Sequence, residues 1–77
     1  MKINVHLFAN LVKYSPEGRN AFSVELKSGA SVEKLIKHLG IPPAEKKIII
    51  VNGRHSNEDT VLNEGDEVTF MTPVEGG

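Results

Sequence analysis

Hydrophobic and polar residues alternate along INVHLF. Ile3, Val5 and Leu7 fall on one side and Asn4, His6 and Phe8 on the other, the period of a half-buried strand. The same period returns in FSVEL, where Phe22, Val24 and Leu26 share a face opposite Ser23 and Glu25. Between these runs YSPEGRN carries Pro16 and Gly18 among polar residues, a turn composition, so the two strands are predicted to form a hairpin. The period then changes. In KSGASVEKLIKHLG the apolar residues Val32, Leu35, Ile36 and Leu39 recur at helical spacing and form one stripe of an amphipathic helix. Ser31 suits its N-cap, Glu33 the positive end of its dipole, and Lys37 and His38 the negative end. Gly40 and Pro42-Pro43 end it.

KKIIIV, residues 46–51, reads as a third strand with NGR, Asn52 to Arg54, as the turn behind it. Ile48 to Val51 are apolar at every position, so this strand is either central or meets something on its outer face. A short connection at Thr60 to Leu62 leads to a turn at Gly65-Asp66. EVTFM then makes the last strand, with Val68 and Phe70 inward and Thr69 and Met71 outward. The order β-β-α-β-β predicts an α+β fold of two layers, one helix on one face of a mixed sheet.

Size and charge narrow the function classes. A chain of 77 residues supports one core and no second domain. A formal charge of −1 argues against a nucleic-acid surface or a polybasic membrane anchor. No apolar run approaches the roughly 18 residues that cross a bilayer, and MKINVHLF lacks the apolar stretch of a signal peptide. A soluble cytoplasmic protein is expected. There is no cysteine, which excludes a disulfide, a thiolate metal site and a persulfide carried on this chain. From Glu58 onward the chain has six acidic residues and no Lys or Arg. These form either a solvated surface or an acidic rim that steers the C-terminal tail toward a basic partner.

Side chains offer no evident chemistry. His6, His38 and His55 lie on a strand, a helix end and a loop without ligand spacing, so no metal site is expected. No serine sits in a nucleophile elbow. The glycines within the domain are isolated at element ends and make no phosphate loop. Glu58-Asp59 and Asp66-Glu67 are adjacent in exposed loops, with no apolar pocket to separate their pKa values. The chain is therefore not expected to be an enzyme, and any reactive group must be something other than a side chain.

The chain ends PVEGG, and this places attention on the terminal carboxylate. Residues 1–72 read as the domain and 73–77 as a tail. Pro73 cannot extend the ladder and releases the strand. The five tail residues would reach about 16–18 Å at full extension. Gly76 and Gly77 would let the backbone pass a channel too narrow for a Cβ. On the residues alone this is either a carrier whose end is its substrate or a loose terminus.

The element order, the helix SVEKLIKHL, VNGR, NEGDEVTF and PVEGG together resemble the MoaD/ThiS family of sulfur carriers, over essentially the whole chain. The resemblance implies the ubiquitin-like β-grasp fold. It also implies that a ubiquitin-activating-type adenylyltransferase uses MgATP to adenylate Gly77, and that a persulfide sulfur donor then converts it to a thiocarboxylate. No cofactor would be bound by the chain itself. The ending is similar to that of the small subunit of molybdopterin synthase, although Thr72 stands where a first proline is expected. The implied partner is then the large subunit of that enzyme. The trimmed helix-to-strand connection is closer to thiamin-type carriers, whose partner is thiazole synthase, and a protein modifier forming an isopeptide bond through Gly77 is a further alternative. Tail recognition is expected at Gly76, Val74 and Pro73. The partner interface is expected on the sheet face away from the helix, at Phe8 and Met71 and, from the all-apolar strand, Ile49 and Val51.

Overall fold

The computed structural model describes residues 1–73. Its strands are β1 (Lys2–Leu7), β2 (Ala21–Glu25), β3 (Ile48–Val51), β4 (Arg54–Ser56) and β5 (Glu67–Met71), with one helix, α1 (Val32–Leu39). They form a mixed sheet in the order β2-β1-β5-β3-β4. The pair β1–β5 is parallel, and β1–β2, β3–β5 and β3–β4 are antiparallel. This is the two-layer α+β order read from the periodicity and the β-grasp architecture implied by the family resemblance, with one short strand more. β4 was hidden because Arg54-His55-Ser56 contains no apolar residue.

Alternation sets the core. Ile3, Val5 and Leu7 from β1 and Val68 and Phe70 from β5 are fully buried, and Val32, Leu35 and Ile36 of α1 cover them. Leu39 and the β2 residues Phe22 and Val24 pack partly exposed against the margin of this core. The β1–β2 hairpin is real, but its connection is more than a turn. It holds two 3₁₀ segments, Ala9–Tyr14 and Pro16–Gly18, and the first inserts Leu11 fully into the core.

The ends of α1 answer two expectations differently. Gly40 adopts φ +77 and closes the helix as a left-handed C-cap, its N–H and that of Ile41 donating to carbonyls of the last turn. At the other end Ser31 occupies the N-cap position, but its hydroxyl makes no capping bond. The free N–H groups of Val32 and Glu33 instead donate to the Thr60 and Glu58 carbonyls at 2.9 and 3.0 Å. Backbone from a distant loop thus satisfies the orphan donors that a side chain was expected to meet. The NGR turn has φ +51 at Asn52 and +82 at Gly53, as a two-residue hairpin requires. The Asn52 amide also clips the turn to the start of β5, accepting from the Glu67 N–H and donating to Asp66, each at 2.9 Å.

Candidate functional site

β5 carries the chain to the root of the tail at one end of the sheet. In the parallel register His6 lies beside Thr69 and Leu7 beside Phe70. The Phe8 N–H then donates to the Phe70 carbonyl at 3.1 Å and brings Phe8 level with Met71. On the other side Ile48 pairs with Met71 and Ile50 with Thr69. The sheet face away from α1 therefore has an apolar patch at the tail end: Phe8, 47% exposed, with half-buried Met71, Ile48 and Ile50.

Two of the residues expected in this patch are not in it. Ile49 and Val51 are buried, paired with Phe70 and Val68 on the helix side of the sheet. The outward members of β3 are Ile48 and Ile50. A strand's side chains alternate, so a one-residue error in phase exchanges the faces completely. Here four consecutive apolar residues left the phase unmarked. β3 is flanked by β5 and β4, and its outward residues Ile48 and Ile50 remain half-buried on the open face. Pro73 is exposed at the root. Val74, Gly76 and Gly77 lie outside the described residues.

Beside the root is an open groove of about 610 Å³ lined by Asn10, Pro42, Ala44, Lys46, Thr72 and Pro73, with Glu45 completing its wall. A clamp fixes that wall. Tyr14, at the end of the first 3₁₀ segment, donates its hydroxyl to a Glu45 carboxylate oxygen at 2.9 Å, and Lys47 Nζ donates to the Glu45 carbonyl at 2.9 Å. Lys13 Nζ stands 5.3 Å from the centre of the Tyr14 ring, a cation–π distance. The bond to the Glu45 carboxylate raises the Tyr14 pKa above its ordinary value, with desolvation and the repulsion of that carboxylate adding to it. Sequence reading placed Tyr14 in a plain turn, and no local signal marks a partner 31 residues away.

The acidic segment is not a rim around the tail's root. Glu58 lies at the N-terminal end of α1, the Glu64 carboxylate accepts from the Lys2 N–H at 3.1 Å, and Asp66 accepts from Asn52 and Asn63. Glu67 begins β5, about 13 Å from Met71 at strand rise. These carboxylates gather at the far end of the sheet. The charges near the root are instead Lys13, Lys46, Lys47 and Glu45. Of the two readings of the described acids, a solvated surface and a steering rim, their placement favours the first: adjacency in sequence was undone by the length of β5.

The histidines also stay apart. His6 Nε2 is 3.6 Å from a Glu67 carboxylate oxygen, while His38 and His55 are exposed elsewhere. Among the described residues no three His, Cys, Asp or Glu side chains gather to hold a metal ion, and no helix is long and apolar enough to cross a membrane.

A family model described as the ThiS family matches residues 5–77. The chain belongs to the ThiS family. This family of ubiquitin-like sulfur carriers is the one its motifs resemble. A search of the curated proteins finds no match. Among solved structures, a protein described as molybdopterin converting factor subunit 1 from Pyrococcus furiosus is 29% identical. The alignment covers 95% of this chain and 98% of that one, with a TM-score of 0.79. SAMP1 from Haloferax volcanii is 22% identical over all of both chains, with a TM-score of 0.79. A complex of subunits 1 and 2 of molybdopterin-converting factor from Helicobacter pylori contains a chain 22% identical over both full lengths, with a TM-score of 0.69. The two more distant structures share the fold. The patch of Phe8, Met71, Ile48 and Ile50 adjoins the end of β5, where the chain leaves the sheet toward Pro73.

Proposed function

We propose that this ThiS-family chain is a sulfur carrier rather than a catalyst, and that its working group is the Gly77 carboxylate. At neutral pH that carboxylate is an anion and a poor electrophile. A ubiquitin-activating-type adenylyltransferase consumes MgATP to form the acyl adenylate and releases pyrophosphate. The terminal sulfur of a partner's persulfide attacks the acyl carbon and AMP leaves. A second thiol then breaks the S–S bond, supplying two electrons, and frees a thiocarboxylate at Gly77. Sulfur is delivered to a cofactor precursor, with molybdopterin the favoured acceptor and the large subunit of molybdopterin synthase the favoured docking partner.

The observation that carries this reading is that the family match extends through the terminal Gly-Gly. The PVEGG ending and the 29% identical Pyrococcus structure favour molybdopterin over thiazole as the destination. Docking falls to the apolar patch, which adjoins the end of β5 at Met71. In this arrangement Pro73, Val74 and Gly76 guide the tail and Gly77 reacts.

The test uses the absence of cysteine. The protein is incubated with ATP, cell extract and a sulfur source, alkylated with iodoacetamide, and measured as intact protein and as peptides. An alkyl adduct on Gly77 that disappears without ATP or on deletion of Gly77 is expected. No adduct, with a control carrier labelled in parallel, would refute the proposal, and an isopeptide remnant joined to Gly77 would move it to protein modification.

A further inference from the structure

The sequence contains one Asn-Gly step, Asn52-Gly53, and both residues are exposed at the turn between β3 and β4. Asparagine before glycine is the pair most prone to lose its amide nitrogen, because no Cβ crowds the peptide nitrogen that follows. The Gly53 nitrogen gives up its proton and bonds to Cγ of Asn52, and the side-chain nitrogen leaves as ammonia. Water then opens the five-membered succinimide to aspartate or to its β-linked isomer, isoaspartate. No other co-reactant is needed.

In the fold the two reacting groups are drawn apart. β3 lies between β5 and β4. At Gly53 the chain turns toward β4, whereas the Asn52 side chain reaches toward β5. There its Oδ1 accepts from the Glu67 N–H and its Nδ2 donates to Asp66 Oδ1, each at 2.9 Å, while its own N–H donates to the Glu67 carbonyl at 2.8 Å. Asp66 is itself fixed, since its second carboxylate oxygen accepts from the Asn63 N–H at 2.8 Å. Among the described residues no backbone carbonyl accepts from the Gly53 N–H, so the restraint acts through the Asn52 side chain and the turn it fixes.

We propose that Asn52 is a deamidation site held silent by this clip, and that it converts in molecules whose β5 start has parted from the turn. The clip sits at an exposed margin of the sheet, where local opening comes before loss of the core. Conversion then prevents reclosure. Aspartate at this position has no donor for Asp66, and two carboxylates stand where an N–H met an oxygen. Isoaspartate adds a methylene to the backbone of a two-residue turn and disturbs the pairing of Val51 with Arg54. Either product leaves the clip open, so each opening that reacts is retained as a chemical mark.

The test follows amide-to-acid conversion at Asn52 by peptide mass mapping, with isoaspartyl methyltransferase labelling to count the β-linked product. The full-length folded protein, the same protein in urea and a capped peptide of residues 50–55 are held at mildly alkaline pH. Conversion in the folded protein is expected to be roughly tenfold slower or more than in the other two. Asp66→Ala removes one tie and should speed it severalfold while circular dichroism shows the fold intact. Leu39→Ala, on α1 at the core margin and outside the clip, lowers global stability instead and should speed it less. Asn52→Asp should lower the melting temperature by several degrees, and adding Asp66→Asn should restore most of the loss, because donor and acceptor then exchange places. Equal rates in folded protein and peptide, or an Asp66→Ala protein no faster than the parent, would overturn the proposal. Equal acceleration by Leu39→Ala would assign the reaction to global unfolding, and no recovery in the double variant would show that the two side chains are uncoupled; either result would remove the clip.

Discussion

Ile49 and Ile50 are chemically identical neighbours on opposite faces of β3, so one substitution made at each in turn reads the phase of the strand. Threonine is the useful replacement, because it keeps the β-branch and the strand propensity. Ile49 is 8% exposed and packed in the core with Phe70 alongside. Ile49→Thr there loses buried hydrocarbon at about 0.8 kcal/mol per methylene and leaves a hydroxyl short of a partner at about 1–3 kcal/mol. The sum is about 2–4 kcal/mol. A domain of this size has a stability of about 4–12 kcal/mol and shifts its melting temperature by about 4–8 °C per kcal/mol, so a drop on the order of 10 °C or more is expected. Ile50 is half-buried on the outer face between Thr69 and His55. Ile50→Thr keeps its hydroxyl within reach of water, and a shift of only about 4 °C or less is expected. Thermal and urea denaturation followed by circular dichroism measure both. Equal losses, or a larger loss at Ile50, would refute the assigned phase and with it the composition of the apolar patch.

Two further outcomes follow from the tail end of the sheet. On the docking proposed above, Met71→Asp should weaken binding to the large subunit of molybdopterin synthase by roughly five- to thirtyfold while leaving the melting temperature within a few degrees; an equal loss of stability would assign Met71 to the core. Tyr14 is the sole tyrosine in a chain without tryptophan, so its phenolate absorbance reports one group. Its midpoint should lie above 10.0 and fall back toward that value in Glu45→Gln. Because the folded state holds this proton more tightly, the clamp's stabilisation is fully present below the unfolded value and is lost as pH rises through the folded one. A midpoint unchanged by Glu45→Gln would show that the bond is not formed in solution.

The parts of the fold that were legible in the sequence carried contrast between faces. β1 alternates polar and apolar at every step, and α1 confines its apolar residues to one stripe, so both phase and burial could be read directly. β3 has no such contrast. Its existence was plain and its orientation was not. β4 has no apolar residue at all and exists because β3 offers it a partner across the Asn52-Gly53 turn. The helix start was found at Ser31, yet its capping groups come from Glu58 and Thr60, which no local pattern could connect to it. The Tyr14–Glu45 clamp has the same origin, a tertiary contact between two segments that each look like ordinary connection. The tail motif was legible as a motif. Its neighbours were not, because β5 separates Met71 from the acidic residues that precede it in the chain.

The position of β5 has a mechanical consequence. It lies inside the sheet, with four paired positions toward β1 and four toward β3, and its C-terminal end is the point at which any pull on the tail is applied. Ladder bonds run across the strands, so a force directed along β5 loads both rows together in shear. An edge strand drawn aside would release its bonds one at a time. The segment most exposed to traction from a bound partner is thus rooted in the strand hardest to draw out, and tension on it is shared across the sheet before any residue of the core is uncovered.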